Sequence, residues 1–178
     1  MSFSINEMKS QLAFGGARQN LFQVRLTNRG NGTADLKAPF MIQAAALPAS
    51  NLGTIQVPYF GRFMKLAGDR VYDPWAVTVI NDEDFLVRNA LEEWSNRMNR
   101  FEGNVRELLD YKSDAEVVQY SKDGNEIRTY KFIGLWPSIV SQIDLGWDQN
   151  DAIELFQTEF QYDYWIVSGG STGNAGGK

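Results

Sequence analysis

Alternating apolar and polar residues predict β-strands over much of this chain. Apolar side chains recur at every second position over 22–26 and again over 75–79, the pattern of strands that bury one face. A turn-rich segment at 28–32 follows the first run, and the apolar run at 40–42 predicts another strand. The chain therefore contains several half-buried strands near its start.

A hairpin is predicted further along the chain. Apolar runs at 117–120 and 127–136 flank the tetrapeptide Lys122-Asp123-Gly124-Asn125. Asp-Gly and Gly-Asn pairs suit a tight turn between antiparallel strands, because these residues tolerate positive φ. The polar, charged stretch at 101–115 before this hairpin is predicted to be a loop.

One amphipathic helix is predicted over about 82–99. Val87, Leu91, Trp94 and Met98 form a single apolar stripe at helical spacing. We expect Asn81 or Asp82 to cap this helix, because acidic residues suit the positive end of the helix dipole.

The segment 153–166 reads as one long strand with an aromatic face and a polar, acidic face. Its even positions include Phe156, Phe160 and Tyr162, whereas its odd positions are polar from 157 to 163. Fourteen residues would span about 48 Å, which exceeds the width of about 40 Å expected for a domain of this length. Such a strand either bends around a barrel or carries its pairing across a subunit boundary.

Residues 46–72 interrupt the regular pattern with Pro48, Pro58 and three glycines. Pro58 cannot donate to a central sheet ladder, so this segment is predicted to be an edge or an exposed loop. We divide the chain into an N-terminal arm at 1–18, a single domain at 19–167 and a flexible Gly/Ser-rich tail at 168–178.

Composition removes most familiar catalytic chemistry. The 178 residues include no histidine and no cysteine, which excludes histidine bases, Ser-His-Asp and Cys-His nucleophiles, the usual zinc sites and thiol redox chemistry. No apolar run approaches the 18 residues of a membrane span, so we expect no membrane insertion. We also expect no secretory signal, because the N-terminus carries no basic segment followed by an apolar core.

The net charge of −5 is concentrated near the C-terminus. Residues 1–131 hold 16 basic and 16 acidic side chains, whereas residues 132–178 hold one basic and six acidic side chains. Tight binding of DNA or RNA requires a basic surface, so the sequence disfavours it.

Three acidic groups are candidate sites of chemistry. The Asp82-Glu83-Asp84 cluster is better explained as charge at a helix N-terminus, and Asp144, Asp148 and Asp151 lack the spacing of a calcium loop. The third group could supply the carboxylate pair that glycoside hydrolysis requires, but the alternating polarity of a half-buried strand explains these residues more simply: Glu154, Glu159 and Asp163.

Six short runs, taken together, carry a resemblance to a known family. In chain order they are QNLFQV at 19–24, ALPA at 46–49, AGDR at 67–70, DPWAVTVINDE at 73–83, GLWP at 134–137 and DYW at 163–165. The chain resembles the tail tube proteins of contractile-tailed bacteriophages over about residues 19–166.

The resemblance implies a mainly β, sandwich or barrel-like subunit with one flanking helix and with sheets continued between subunits. Six copies would form a ring, and rings would stack into a tube inside a contractile sheath. DNA would pass through the lumen without specific binding. The implied partners are further copies of the chain, the tail sheath protein, and the baseplate and tail terminator proteins. The location would be the virion tail, assembled in the host cytoplasm, and no catalytic residue or cofactor is implied.

Three surfaces are predicted for this assembly. The projecting ring-stacking candidates are Pro48, Leu52, Pro58, Tyr59, Phe60 and Phe63. The candidates for the lumen are Gln157, Glu159, Gln161 and Asp163. The sheath-facing candidates on the predicted helix are Glu92, Glu93, Asn96 and Arg100.

Two other functions stay open at this point. The chain could form the tube of a contractile injection system that carries no genome, such as a phage-tail-like bacteriocin or a type VI secretion tube. From a different class, it could be a β-sandwich that binds or hydrolyses carbohydrate.

Overall fold

The computed structural model describes residues 4–12, 14–27, 32–103 and 111–168. Its elements, in chain order, are α1 Ile5–Gln11, β1 Phe22–Leu26, α2 Gly32–Met41, β2 Ile42–Ala45, β3 Asn51–Tyr59, β4 Arg62–Val71, β5 Trp75–Ile80, α3 Leu86–Met98, β6 Ser113–Tyr120, β7 Glu126–Val140, β8 Leu155–Gln161 and β9 Tyr164–Ser168. The fold is mainly β, as the sequence predicted.

Seven strands form one strongly curved antiparallel sheet. Its order is β1-β6-β7-β8-β5-β2, with β9 added beside β7. The first half of β7 pairs with β6 and β9, and its last residues pair with β8, so β7 belongs to both halves of the sheet. β1 and β2, at the two ends of the order, approach each other, which gives the sheet a barrel-like shape.

A single aromatic core fills the space that the sheet encloses. The Trp75 and Phe132 rings stack with centroids 4.4 Å apart, and Trp75 and Phe160 lie 5.6 Å apart. Trp94 of α3 is 1% exposed and donates its indole N–H to the carbonyl oxygen of Tyr111 at 2.7 Å. Because the core contains residues of both halves of the sheet and of α2 and α3, the curved sheet and these two helices form one unit.

Several local predictions are confirmed. β1 and β5 bury alternate residues, and the 121–125 turn joins β6 to β7 with Gly124 at φ +79°. Val87, Leu91 and Trp94 of the apolar stripe are buried, whereas Met98 is half-buried against the core. The predicted loop at 101–115 ends earlier than expected, because β6 begins at Ser113, and residues 104–110 lie outside the described part.

The predicted strand at 40–42 is wrong. Phe40 and Met41 end the helix α2, and only Ile42 begins a strand. Ala34 and Ala38 lie four residues apart and are both buried, which places one helical face against the core. The prediction of a single flanking helix is therefore also wrong, since the described residues form three helices.

The predicted start of the long helix is wrong as well. α3 begins at Leu86, and Asn81 and Asp82 do not cap it. Asp82 instead begins a tight turn in which the Phe85 N–H donates to the Asp82 carbonyl oxygen at 2.8 Å. Phe85, the residue before the helix, has φ +51°, and the Asp84 carboxylate accepts from the Leu86 N–H at 3.0 Å.

The segment 153–166 is not one strand. It divides into β8 and β9 at Tyr162 and Asp163, and the two pieces pair with different parts of β7. The break removes the excess length that one continuous strand would have. The buried side chains change from even-numbered to odd-numbered positions at the break: Phe156 and Phe160 are buried before it and Val167 is buried after it.

The predicted arm at 1–18 contains α1, whose residues are not buried. The predicted tail at 168–178 lies outside the described residues except for Ser168, the last residue of β9. No helix in the described part of the chain is long and apolar enough to cross a membrane.

We predict that Trp94→Ala lowers the free energy of unfolding by about 3–5 kcal/mol, because a buried indole leaves a large cavity. Chemical denaturation of the unassembled subunit measures this loss. Glu93→Ala, on the exposed face of the same helix, is the control and should change stability by less than about 0.5 kcal/mol. A loss below about 1 kcal/mol for Trp94→Ala would contradict a core role for the stripe.

Candidate functional site

β3 and β4 form a hairpin that extends from the body of the protein. They pair with each other from Asn51 and Val71 to Tyr59 and Arg62, and among the described elements they make extensive contacts only with each other. Almost every residue of both strands is exposed. A two-stranded hairpin is marginally stable by itself in water, so among the described residues this hairpin is the clearest surface for a partner.

Two glycines allow the hairpin strands to approach closely at a bulge near the base. A Cβ atom on Gly53 would lie 3.1 Å from the carbonyl oxygen of Asp69, and one on Gly68 would lie 3.2 Å from backbone atoms of Gly53. The pairing register shifts at this point, between Leu52 and Thr54. Larger residues would therefore push the strands apart.

The base of the hairpin is attached to the body by side chains. Trp75 donates its indole N–H to the Ala46 carbonyl oxygen at 2.7 Å, and Trp165 donates to that of Ala49 at 3.2 Å. The Asn51 side-chain amide donates to the Asp73 carboxylate. These contacts fix the direction of the hairpin relative to the sheet.

The ring-stacking candidates lie on this hairpin and the segment before it. Pro58, Tyr59, Phe60 and Phe63 cluster at the tip, where the Tyr59 and Phe60 ring centroids are 4.7 Å apart. Leu52 lies near the base and is exposed, and half-buried Pro48 precedes β3. Pro58 fits because β3 has a partner strand on one side only, as the predicted edge requires.

The lumen candidates do not form one set. Gln157, Glu159 and Gln161 point away from the core on β8, since Phe156, Thr158 and Phe160 between them are buried. Asp163 lies instead at the break between β8 and β9, where Lys112 Nζ contacts both of its carboxylate oxygens, at 2.7 and 2.8 Å. This hydrogen bond raises the pKa of Lys112.

Three of the four sheath-facing candidates are exposed, and most of them make contacts with nearby residues of the chain. Glu92 pairs with Arg88 at 2.8 Å, and Glu93 lies 3.5 Å from Arg97, in both cases one helical turn away. The half-buried Asn96 accepts a hydrogen bond from the Phe101 N–H at 3.1 Å. Arg100 is exposed beyond the end of α3.

An ionic contact that the sequence did not predict joins α2 to the turn before α3. Lys37 Nζ lies 2.5 Å from Asp82 Oδ2 and also contacts the Asp84 carboxylate. The hydrogen bond to Asp82, and then that to Asp84, raises the pKa of Lys37, and bonding to Lys37 lowers the pKa of both carboxyl groups. The acidic cluster thus has a structural partner that lies 45 residues away from Asp82.

The carboxylates weighed for carbohydrate chemistry have separate surroundings. The Glu154 carboxylate accepts from the Asn81 side-chain amide at 2.7 Å, and Asp163 binds Lys112. In the described ranges, no three acidic residues form a group that could hold a metal ion.

Comparisons with known proteins agree with one another. The phage tail tube protein family model matches residues 6–168. The chain is 35% identical over 154 residues to tail tube protein gp19 of Enterobacteria phage T4, covering 84% of this chain and 90% of that protein. It is 25% identical over 166 residues to the tail tube protein of Serratia phage KSP90, covering 89% and 94%.

Solved structures of contractile injection machines share the fold. A chain of the anti-feeding prophage baseplate superposes with a TM-score of 0.62 at 12% identity, covering 88% of this chain and 97% of that one. A chain of the PVC sheath-tube complex, an extracellular contractile injection system in its extended state, gives 0.57 at 16% identity, covering 94% and 99%.

We predict that Lys37→Met raises the pKa of Asp82 and Asp84 toward the ordinary carboxyl value of about 4. In the parent these pKa values are lowered, so the contact stabilises the fold above about pH 4 and this stabilisation is lost as pH falls through the lowered values. Titration of the carboxyl carbons by NMR measures the shift. The matched control is Lys131→Met, since Lys131 approaches Asp114 and Glu116 instead. Unchanged pKa values in Lys37→Met would contradict the contact.

Proposed function

The chain belongs to the phage tail tube protein family, and from this we propose that it is the structural subunit of a phage tail tube. Six copies close into a ring, and rings stack into a hollow tube inside a contractile sheath. DNA passes through the lumen into the host during ejection. The role is structural rather than enzymatic, in agreement with the sequence analysis.

The observation that carries the proposal is the uncovered β3–β4 hairpin. Its two strands expose apolar side chains along their whole length, among them Leu52, Ile55, Tyr59, Phe63 and Leu66. Large exposed apolar surfaces mark contacts with other proteins. Covering the hairpin with the next ring would remove this apolar surface from water and so stabilise the contact. A contact between two different surfaces that does not close on itself extends into a filament.

The outer face of β8 supports the proposal for the lumen. Gln157, Glu159 and Gln161 lie on it, and β8 contains no lysine or arginine. Each phosphate bound by a basic residue adds affinity for DNA, so a wall without cations lets DNA pass. We leave Asp163 out of this lining, since its carboxylate binds Lys112 at the bend.

The exposed face of α3 supports a contact with the sheath. Glu92 and Glu93 present carboxylates there, next to the half-buried Asn96, and Arg100 adds a charge just beyond the end of the helix. We extend the partners to the baseplate and tail terminator proteins, and the location to the virion tail assembled in the host cytoplasm. The fold is shared with the terminating cap of the anti-feeding prophage tube, with a TM-score of 0.60.

A second candidate is the tube of a contractile injection system without a genome. The shared fold with the PVC sheath-tube complex favours it, whereas the higher identity to the T4 protein favours a phage tail. Nuclease-protected DNA in purified particles would identify a phage, and particles without DNA would identify the injection system.

We predict that replacing residues 52–70 by a short Gly-Ser linker leaves rings that do not elongate into tubes. Leu52 and Arg70 are paired, so a short linker can join the strand ends. Negative-stain electron microscopy compares this variant with the parent chain, which should form tubes at the same concentration. Tubes of normal length from the variant would refute the role of the hairpin. A parent chain that stays monomeric by light scattering at every concentration would refute the proposed function itself.

We predict that tubes of the double variant Gln157→Lys, Glu159→Lys retain duplex DNA at low salt, and that salt weakens this retention. The matched control is Glu93→Lys, Asn96→Lys on α3, which changes the net charge equally. Nuclease protection of DNA added during assembly is the measurement. Equal retention by both sets of tubes would show that β8 does not line the lumen.

A further inference from the structure

The hairpin tip holds an aromatic side chain at a conformational cost. Phe60 and Gly61 form the two-residue turn with φ +42° and +79°. Such turns favour Asn, Asp or Gly at both positions, and a bulky residue at positive φ is a rare outlier. Phe60 is 92% exposed, so its ring buries little surface within its own chain, although it contacts the Tyr59 ring. Strain of this kind indicates a functional position.

A groove on the body is lined by apolar and acidic side chains. It has a volume of about 510 Å³ and lies where α2 ends, β5 ends and the turn before α3 begins. Met41, Ile80, Phe85 and Ile153 form its apolar lining, and Phe85 and Ile153 are 41% and 70% exposed. Phe85, at φ +51°, is the other non-glycine residue with positive φ in the described part of the chain.

The charges of the two surfaces are opposite. The hairpin carries Arg62, Lys65 and Arg70 against one acidic residue, Asp69. The groove is lined by Asp82, which is paired with Lys37, and by the acidic residues Glu83 and Glu154, and its lining includes no basic residue. Complementary charge at an interface fixes the register and speeds association.

Two other surface grooves fit the tip less well. A groove of about 650 Å³ is lined by three basic residues, Arg25, Lys112 and Lys131, and by two acidic ones, Asp114 and Glu116, which both lie near Lys131, so it offers a basic hairpin no net negative charge. Another, of about 340 Å³, is lined by Gln19, Phe22 and Leu47 and carries no charged side chain. Charge therefore selects the groove beside Phe85.

We propose that Phe60 of one copy inserts between Phe85 and Ile153 of a copy in the next ring, with Arg62 facing Glu83. This inference rests on the proposed function and names the surface that receives the hairpin. The hairpin tip and the groove are different parts of the same chain, so every copy both inserts a tip and receives one. A heterologous contact of this kind continues from ring to ring.

Cross-linking tests the contact directly, because the natural chain contains no cysteine. In the double variant Phe60→Cys, Ile153→Cys, mild oxidation of assembled tubes should give a ladder of disulfide-linked copies on a denaturing gel, reversed by reductant. The control Phe60→Cys, Asp123→Cys moves the second cysteine to the exposed 121–125 turn. A ladder in the control as strong as in the test variant, or no ladder in the test variant, would overturn the proposal.

Charge exchange gives a second test that does not depend on thiol geometry. Arg62→Glu and Glu83→Arg should each raise the protein concentration needed for tubes by about tenfold or more, as loss of an interface hot spot does. The double variant should restore the parent value, because it restores opposite charges. A double variant as defective as the single variants would overturn the pairing.

The outcomes separate this inference from the function on which it rests. If the parent chain forms tubes and the linker variant does not, the hairpin stacks rings, and a failed rescue then refutes only the groove assignment. If the parent chain forms no rings or tubes, the proposed function fails first. Phe60→Gly isolates the aromatic ring, since glycine suits this turn. It should keep the thermal midpoint of the unassembled subunit while weakening tube formation.

Discussion

The fold depends on one strand, β7, taking part in both halves of the sheet. β7 changes partners around Gly134, from β9 to β8, and Gly134 has φ +70° and would place an added Cβ 2.2 Å from the Asp163 carboxylate. Asp163 donates its backbone N–H to the Ile133 carbonyl oxygen at 3.0 Å and binds Lys112 through its side chain. The change of partner along β7 and the break between β8 and β9 therefore occur at one place, and the enclosed core depends on both.

The apolar side chains of the core are buried, whereas those of the hairpin are exposed to water. Trp75, Phe132 and Phe160 complete the interior from within a single chain. The hairpin buries almost nothing, although it is rich in apolar side chains. The subunit can therefore fold without covering the hairpin, and burial of the hairpin becomes available as a driving force for association. This division suits a protein that folds first and polymerises afterwards.

Charge follows the same division. Arg88 and Glu92, like Lys37 and Asp82, form pairs within the chain that hold local structure. The hairpin instead carries an excess of basic residues, and the excess of acidic residues lies in the region after residue 131. An uneven distribution within one chain favours contacts between copies in one orientation, because reversed contacts place like charges together.

The sequence by itself determined the features that depend on neighbouring residues: the alternation of β1 and β5, the turn at 121–125, the apolar stripe of α3 and the exposed hairpin with Pro58. Tertiary structure decided the features that depend on distant partners. α2 is a helix because its buried alanines face the core. The residues 82–85 form a turn rather than the start of α3, and Lys37 of α2 binds the aspartates of this turn. The last strand divides because Gly134 allows Asp163 to pack against β7. The groove beside Phe85 could not be predicted, since separate segments of the chain form it, and periodicity describes only residues close in sequence.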